Sequence, residues 1–394
     1  MPTSHTAAVR SLLLSSALLL MPVTGINSQV SNACRPTDAT RRTEQRLQAL
    51  ADSLVRSARD VPAVALTVFA PKLCLEWSGA SGVANRATGE AMTPRHPVRM
   101  ASNTKTYTAA AILRLMEQGK LSLDDPVGKY LPAESLAPLK RDGYDLDRIT
   151  IRLMLQHRAG IYDYAMDSNF MAAIYRNPTH RWTRAEQVDS AAVWGAPYGP
   201  PGSVYHYTDT GYILLGEIVE RLTGQGLAKA FRTLLRYDAL GLRDTWLETL
   251  EPKPKSALDL AHQYMDTADT RGFDPSFDLY GGGGLAATTN DMARFTRALF
   301  VGGVYDKPTT ITTMSTLPEG AAGSRAYALG IYRQELGGEA WWGHSGFWNT
   351  ASFYLPARGL TFAASVSQQG KSSAMRALLA GALAIVAEGE QGSR

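Results

Sequence analysis

Cysteine is scarce in this chain of 394 residues, which has only Cys34 and Cys74. Two cysteines make no disulfide framework, and neither has the His or Cys spacing of a metal site. A single bond between them and two free thiols are both compatible with the sequence. Charge of one sign is scarce as well. Forty basic residues against 36 acidic ones leave a net +4. No basic stripe with interleaved aromatics is present, which argues against nucleic acid as a partner. Repeats, low-complexity tracts and interdomain linkers are missing. So are a Gly-x-Ser-x-Gly elbow and a His-Glu-x-x-His helix, which argues against an α/β-hydrolase or a zinc peptidase. No metal and no cofactor are expected.

What is present suits an enzyme-sized globular protein. The hydrophobic content is 45%, enough for a large core. The N-terminus has the form of an address. Arg10 precedes an apolar run from Leu12 to Met21 that is too short to span a membrane, and small residues follow it. That pattern predicts a signal peptide over residues 1–33 and a periplasmic or secreted protein with no membrane span after processing. An uncut N-terminal anchor is the other reading.

The stretch around which the rest is organised is Ser102-Asn103-Thr104-Lys105. Ser102 is the only serine with a lysine three residues on. On a helix that spacing puts both side chains on one face, a turn apart. A serine hydroxyl is a weak nucleophile until a neighbour takes or attracts its proton, and a lysine there can do either. A helix-like run from Thr106 to Gln118 follows, so the helix N-terminus adds positive potential where an oxyanion would form. The plain alternative has Ser102 capping the helix and Lys105 in solvent.

Elsewhere, apolar periodicity predicts helices over 42–58, 149–157, 212–222, 292–300 and 373–387, with strands over 64–69, 73–77, 327–332, 351–355 and 360–365. Residues 161–200, rich in Tyr, Asn, Pro and Trp, read as irregular surface structure. Strands at both ends with helices between predict an α+β sandwich. Its sheet domain would comprise residues 40–120 and 281–390, with a mainly helical insertion over 121–280.

Two further clusters carry chemistry: Tyr207-Thr208-Asp209 and His344-Ser345-Gly346. With Ser102-Asn103-Thr104-Lys105 ahead of them in this order, the chain resembles the penicillin-recognising serine hydrolases. It looks most like the class C β-lactamase branch, which includes D-Ala-D-Ala carboxypeptidases, D-aminopeptidases and esterases. The family's marks are Ser-x-x-Lys, Tyr-x-Asn and Lys-Thr-Gly or a His-x-Gly variant. The likeness covers roughly residues 45–385.

The resemblance implies an antiparallel sheet flanked by helices, and it implies roles. Ser102 would be acylated, Lys105 would lower the pKa of the neighbouring hydroxyls, and Tyr207 would be the general base, with Lys105 in reserve. A phenol ionises near pH 10, so that base needs an adjacent cation. The oxyanion would lie between the backbone N–H groups of Ser102 and Phe347. Gly346 would let substrate approach the strand edge, next to Ser345.

Two departures bear on substrate. His344 stands where most β-lactamases have lysine, and histidine near pH 7 is only partly cationic. Asp209 replaces asparagine and, when ionised, cannot donate a hydrogen bond to an acyl amide. It can instead pair with Lys105 or receive a cationic group. These features favour small esters or amides, including D-amino-acid peptides. The competing readings are a class C β-lactamase or D-Ala-D-Ala carboxypeptidase, a sensor that is acylated without turnover, and a scaffold without chemistry. His157, His206 and His262 read as structural.

Overall fold

The computed structural model describes residues 34–321 and 325–392. The expected leader over 1–33 lies outside the described residues. Both cysteines are disulfide-bonded.

Eight strands form one antiparallel sheet: β1 (Ala63–Ala70), β2 (Leu75–Asn85), β3 (Glu90–Ala91), β4 (Arg325–Tyr327), β5 (Tyr332–Leu336), β6 (Glu339–Gly346), β7 (Thr350–Leu355) and β8 (Leu360–Val366). Their spatial order is β3-β2-β1-β8-β7-β6-β5-β4. The first hairpin and the C-terminal strands therefore meet at the β1–β8 seam, where Val64 pairs with Val366 and Phe69 with Thr361.

Helices cover both faces of this sheet, so β1 is buried along its whole length and reads as an uninterrupted apolar run. On one face, Val64, Leu66, Val68 and Phe362 pack with Leu47 and Ala51 of α1 (Asp38–Ser57) and with Leu378 and Ala382 of the C-terminal helix (Ser372–Gln391). Each large side chain so buried contributes roughly 1.5–3 kcal/mol. That C-terminal helix is long and apolar enough to cross a membrane by length and composition. Here its apolar face is part of the core. On the other face, Phe69 and Ala363 join Met292 and Phe295 of the helix Thr289–Val301.

This second core continues without a break into the helical region. Tyr107, Ile112 and Leu113 of α2 (Thr104–Glu117) share it with Ile213 and Leu214 of α3 (Asp209–Thr223) and with Phe231. A small ladder of Val98–Arg99, Leu285–Ala287 and Trp246–Leu247 ties the segment before Ser102 to the segment after the glycine run.

Three expectations are corrected. Residues 161–200 are not irregular; they hold the helices Ser168–Arg176 and Arg184–Trp194. Phe170, Ile174, Val188 and Ala191 anchor these helices in the core. A Thr183–Glu186 capping box starts the second one, a signal the tyrosines and prolines around it obscured. The stretch 327–332 is not one strand but the turn between β4 and β5, with Gly330 in the left-handed region that such a reversal requires. The predicted helix 149–157 is only Ile151–Leu155. It stops before His157, whose φ is +55°. Strand β6, which carries His344, Ser345 and Gly346, is an addition to the predicted set.

Candidate active site

The nucleophile candidate sits at a strained corner. Ala101 has φ +47°, a region a residue with a Cβ seldom adopts. The turn Ala101–Asn103 then runs straight into α2. Asn103 braces it by donating from Nδ2 to the Met100 carbonyl (3.1 Å) and to Thr350 Oγ1 (2.9 Å) on β7. Strain of this kind persists only where the surroundings over-determine it.

Lys105 is fully buried, so the solvent-facing alternative is excluded. Its ammonium has three donors, and each finds an acceptor: Ser102 Oγ at 3.0 Å, the Gly282 carbonyl at 2.8 Å, and the Asp209 carboxylate. A cation donating to Ser102 Oγ favours the alkoxide over the alcohol.

Tyr207 and Asp209 arrive together because Thr208 caps α3, accepting from the Thr210 N–H. The Asp209 N–H donates to Asp163 Oδ1 (2.9 Å). The Tyr207 hydroxyl is held well above the usual phenol range, first by burial and then by the charge of Asp209, a rise that the nearby Ser102 hydroxyl opposes. Here the geometry corrects the sequence-based expectation that Lys105 makes Tyr207 an accessible phenolate. The lysine lies over the ring face, 4.9 Å from its centroid, and its charge is answered by Asp209.

The third cluster lies at the end of β6. His344 is 3% exposed, and both ring nitrogens are engaged: Nε2 lies 2.9 Å from the Tyr327 hydroxyl and Nδ1 2.6 Å from the Ser345 carbonyl. Ser345 Oγ accepts from the Tyr332 hydroxyl at 2.8 Å. A side chain at Gly346 would run into the Met100 carbonyl, Thr350 Oγ1 and Ala101. Glycine therefore lets β6 close against the corner that carries Ser102, and Phe347, 42% exposed, comes next.

A cavity of about 400 Å³ opens on this constellation. Ser102, Tyr207, Asp209, His344, Ser345, Gly346 and Phe347 all line it, while Lys105 lies beneath. Met166, Phe170, Met171, Ile174 and Phe277 give it apolar lining, and two carboxylates, Asp209 and Asp278, line it as well. Burial, then the charge of Asp209, raises Asp278 to about 7. The same two causes raise Asp163. Among the described residues no cluster of His, Cys, Asp and Glu is arranged to hold a metal ion. Asp163, Asp278, Tyr327 and Tyr332 were missed in the sequence because no spacing marks them. They come from separate elements that only the fold brings together.

The family model described as Beta-lactamase matches residues 42–385. The chain belongs to the Beta-lactamase family. Among curated proteins it is 31% identical over 308 residues to Penicillin-binding protein 4 of Amycolatopsis lactamdurans, covering 74% of this chain and 72% of that one. It is 32% identical over 218 residues to Esterase EstB of Burkholderia gladioli, covering 53% and 52%. The alignment thus spans only about half of the esterase. Among solved structures, a D-stereospecific amidohydrolase from Streptomyces sp. superposes with a TM-score of 0.71 at 25% identity, covering 84% of this chain and 97% of that one. The fold is that of the β-lactamase-type hydrolases, and the chain is a serine hydrolase of the Beta-lactamase family. Asp209 and His344 remain its departures from the family's Asn and Lys.

Proposed function

We propose that the protein is an exported, cofactor-free hydrolase that cleaves small esters and amides through an acyl-enzyme on Ser102. The observation that carries this is the 3.0 Å hydrogen bond from Lys105 Nζ to Ser102 Oγ, made at the floor of the one cavity that the three sequence clusters share. Ser102 Oγ attacks the substrate carbonyl, and the N–H groups of Ser102 and Phe347 receive the oxyanion. The serine proton passes to the Tyr207 oxygen as Tyr207 gives its own proton to the leaving group. The phenol is neutral before and after this exchange, which suits its raised pKa. Water then enters, and the same relay runs in reverse to release the acid.

The cavity's chemistry supports one substrate class. Its apolar lining suits an aromatic or branched aliphatic side chain, and Asp209 and Asp278 suit an ammonium. Amino-acyl esters and amides with an apolar side chain combine the two. The Streptomyces neighbour's name, a D-stereospecific amidohydrolase, makes D-configured compounds the first to try. A β-lactam or a peptide ending in D-alanine brings a carboxylate to the same two acidic residues, which weighs against the class C β-lactamase and carboxypeptidase readings. A sensor would be acylated at the same serine without release.

One experiment separates these readings. A fluorophosphonate probe should give a single adduct on the Ser102 peptide and none in Ser102→Ala, with steady turnover of p-nitrophenyl esters and D-aminoacyl anilides. Labelling that persists without Ser102 overturns the nucleophile, and labelling without turnover establishes the sensor.

A further inference from the structure

His157 is fully buried, and its backbone is left-handed at φ +55°. Histidine is, with asparagine and aspartate, enriched among the side-chain-bearing residues found in this region. Here the conformation has a consequence. The His157 carbonyl accepts from the His206 N–H at 2.9 Å, and its ring Nδ1 accepts from the Thr208 N–H at 3.1 Å. One residue thus holds the backbone on both sides of Tyr207. Its ring also lies against the Tyr207 ring, with centroids 4.2 Å apart and planes inclined by 33°. Tyr327 and Tyr212 enclose the same imidazole, at 4.5 Å and 4.9 Å.

The ring is not arranged to move protons itself. With Nδ1 accepting from a backbone N–H, a neutral ring carries its proton on Nε2, and Nε2 is buried with no hydrogen-bond partner. Burial, then the nearby Lys105 cation, pushes the imidazole well below its usual range, so it stays neutral. The chain could meet the two N–H groups with a plain turn and no strained histidine. What a turn would not supply is the flat, uncharged face against Tyr207.

We infer that His157 is a positioning residue that holds the Tyr207 hydroxyl in the cavity it shares with Ser102, by clamping residues 206–208 and bracing the phenol ring. The inference rests on the proposed role of Tyr207. Displacing a catalytic group by about 1 Å can cost on the order of 10²-fold in rate.

The test compares kcat and KM for a p-nitrophenyl ester in the full chain carrying His157→Leu, His157→Asn, Tyr207→Phe, and His157→Leu with Tyr207→Phe. Leucine removes the ring acceptor, whereas asparagine can offer an oxygen near the Nδ1 position and tolerates the left-handed backbone. His157→Leu should lower kcat by about 10²-fold with KM within about twofold. His157→Asn should recover most of that loss. In the double variant the leucine should add little to the loss from Tyr207→Phe, because both act on one step. If His157→Leu does not fold, His157→Gln, whose acceptor is displaced by one methylene, replaces it with the same expectations. Wild-type kcat in a folded His157→Leu or His157→Gln, with Tyr207→Phe impaired, overturns the positioning role alone. Losses that multiply in the double variant also overturn it, since a general structural defect behaves so. Wild-type kcat in Tyr207→Phe overturns the relay and the inference with it.

Discussion

Asp209 accepts a hydrogen bond from the Lys105 ammonium, whose next donor reaches Ser102 Oγ at 3.0 Å. The carboxylate therefore shares the lysine with the nucleophile. It also supplies negative charge to everything nearby, and after burial that charge is what raises Tyr207, Asp163 and Asp278.

Changing Asp209→Asn separates these effects. Losing a charged partner for an ammonium costs about 1.5–3 kcal/mol, on the order of 10–100-fold in affinity. The ratio of kcat/KM for a D-aminoacyl ester to that for a neutral ester should fall by that order. A ratio that does not move would show that Asp209 only holds Lys105.

Asp278 sets a pH dependence. Its carboxyl is raised to about 7, so below that pH the cavity has lost one negative charge. KM for a cationic substrate should fall as the pH rises through about 7, while KM for a neutral ester stays level. Stability runs the other way. The native state holds this proton more tightly than the unfolded chain, so the contribution declines as the pH rises from 3.8 to about 7. Asp278→Asn should flatten the KM profile and reduce the fall of Tm with pH, read by steady-state kinetics and by Tm against pH; Asp163 and Asp291, also raised, keep the rest of that fall.

β-Lactams should be poor substrates. Bringing a carboxylate against Asp209 and Asp278 costs on the order of several kcal/mol, and the His344 ring nitrogens already face Tyr327 and Ser345. Nitrocefin turnover should trail the best ester by at least about 10²-fold, the rate equivalent of roughly 3 kcal/mol. Equal rates would restore the β-lactamase reading.

The leader is tested by N-terminal sequencing of the exported protein. The apolar run ends at Met21 and small residues follow it, so the mature chain should begin between residues 26 and 34. An intact Met1 on membrane-bound material would identify an anchor instead.

Much of this was legible in the sequence because it is local. Ser102 and Lys105 declare themselves by a spacing that one helical turn turns into contact. Gly224 marks the end of α3, where its φ is +65°. The apolar runs of β1, β7 and β8 were visible because helices bury both faces of those strands. The helices between 161 and 200 were not, since their few anchors lie among residues typical of loops. Strand β6 was obscured because its burial does not alternate.

By itself the sequence determined the order of the three clusters, the family they resemble and the two departures, Asp209 and His344. These are matters of residue identity at short spacing. Only the tertiary structure decided what the departures do. Lys105 meets Asp209 across 104 residues, Asp278 joins the same cavity from another segment, and His157 reaches both sides of Tyr207. The pKa of a buried phenol depends on burial and on charges that the chain brings in from afar, and no spacing along the sequence encodes either.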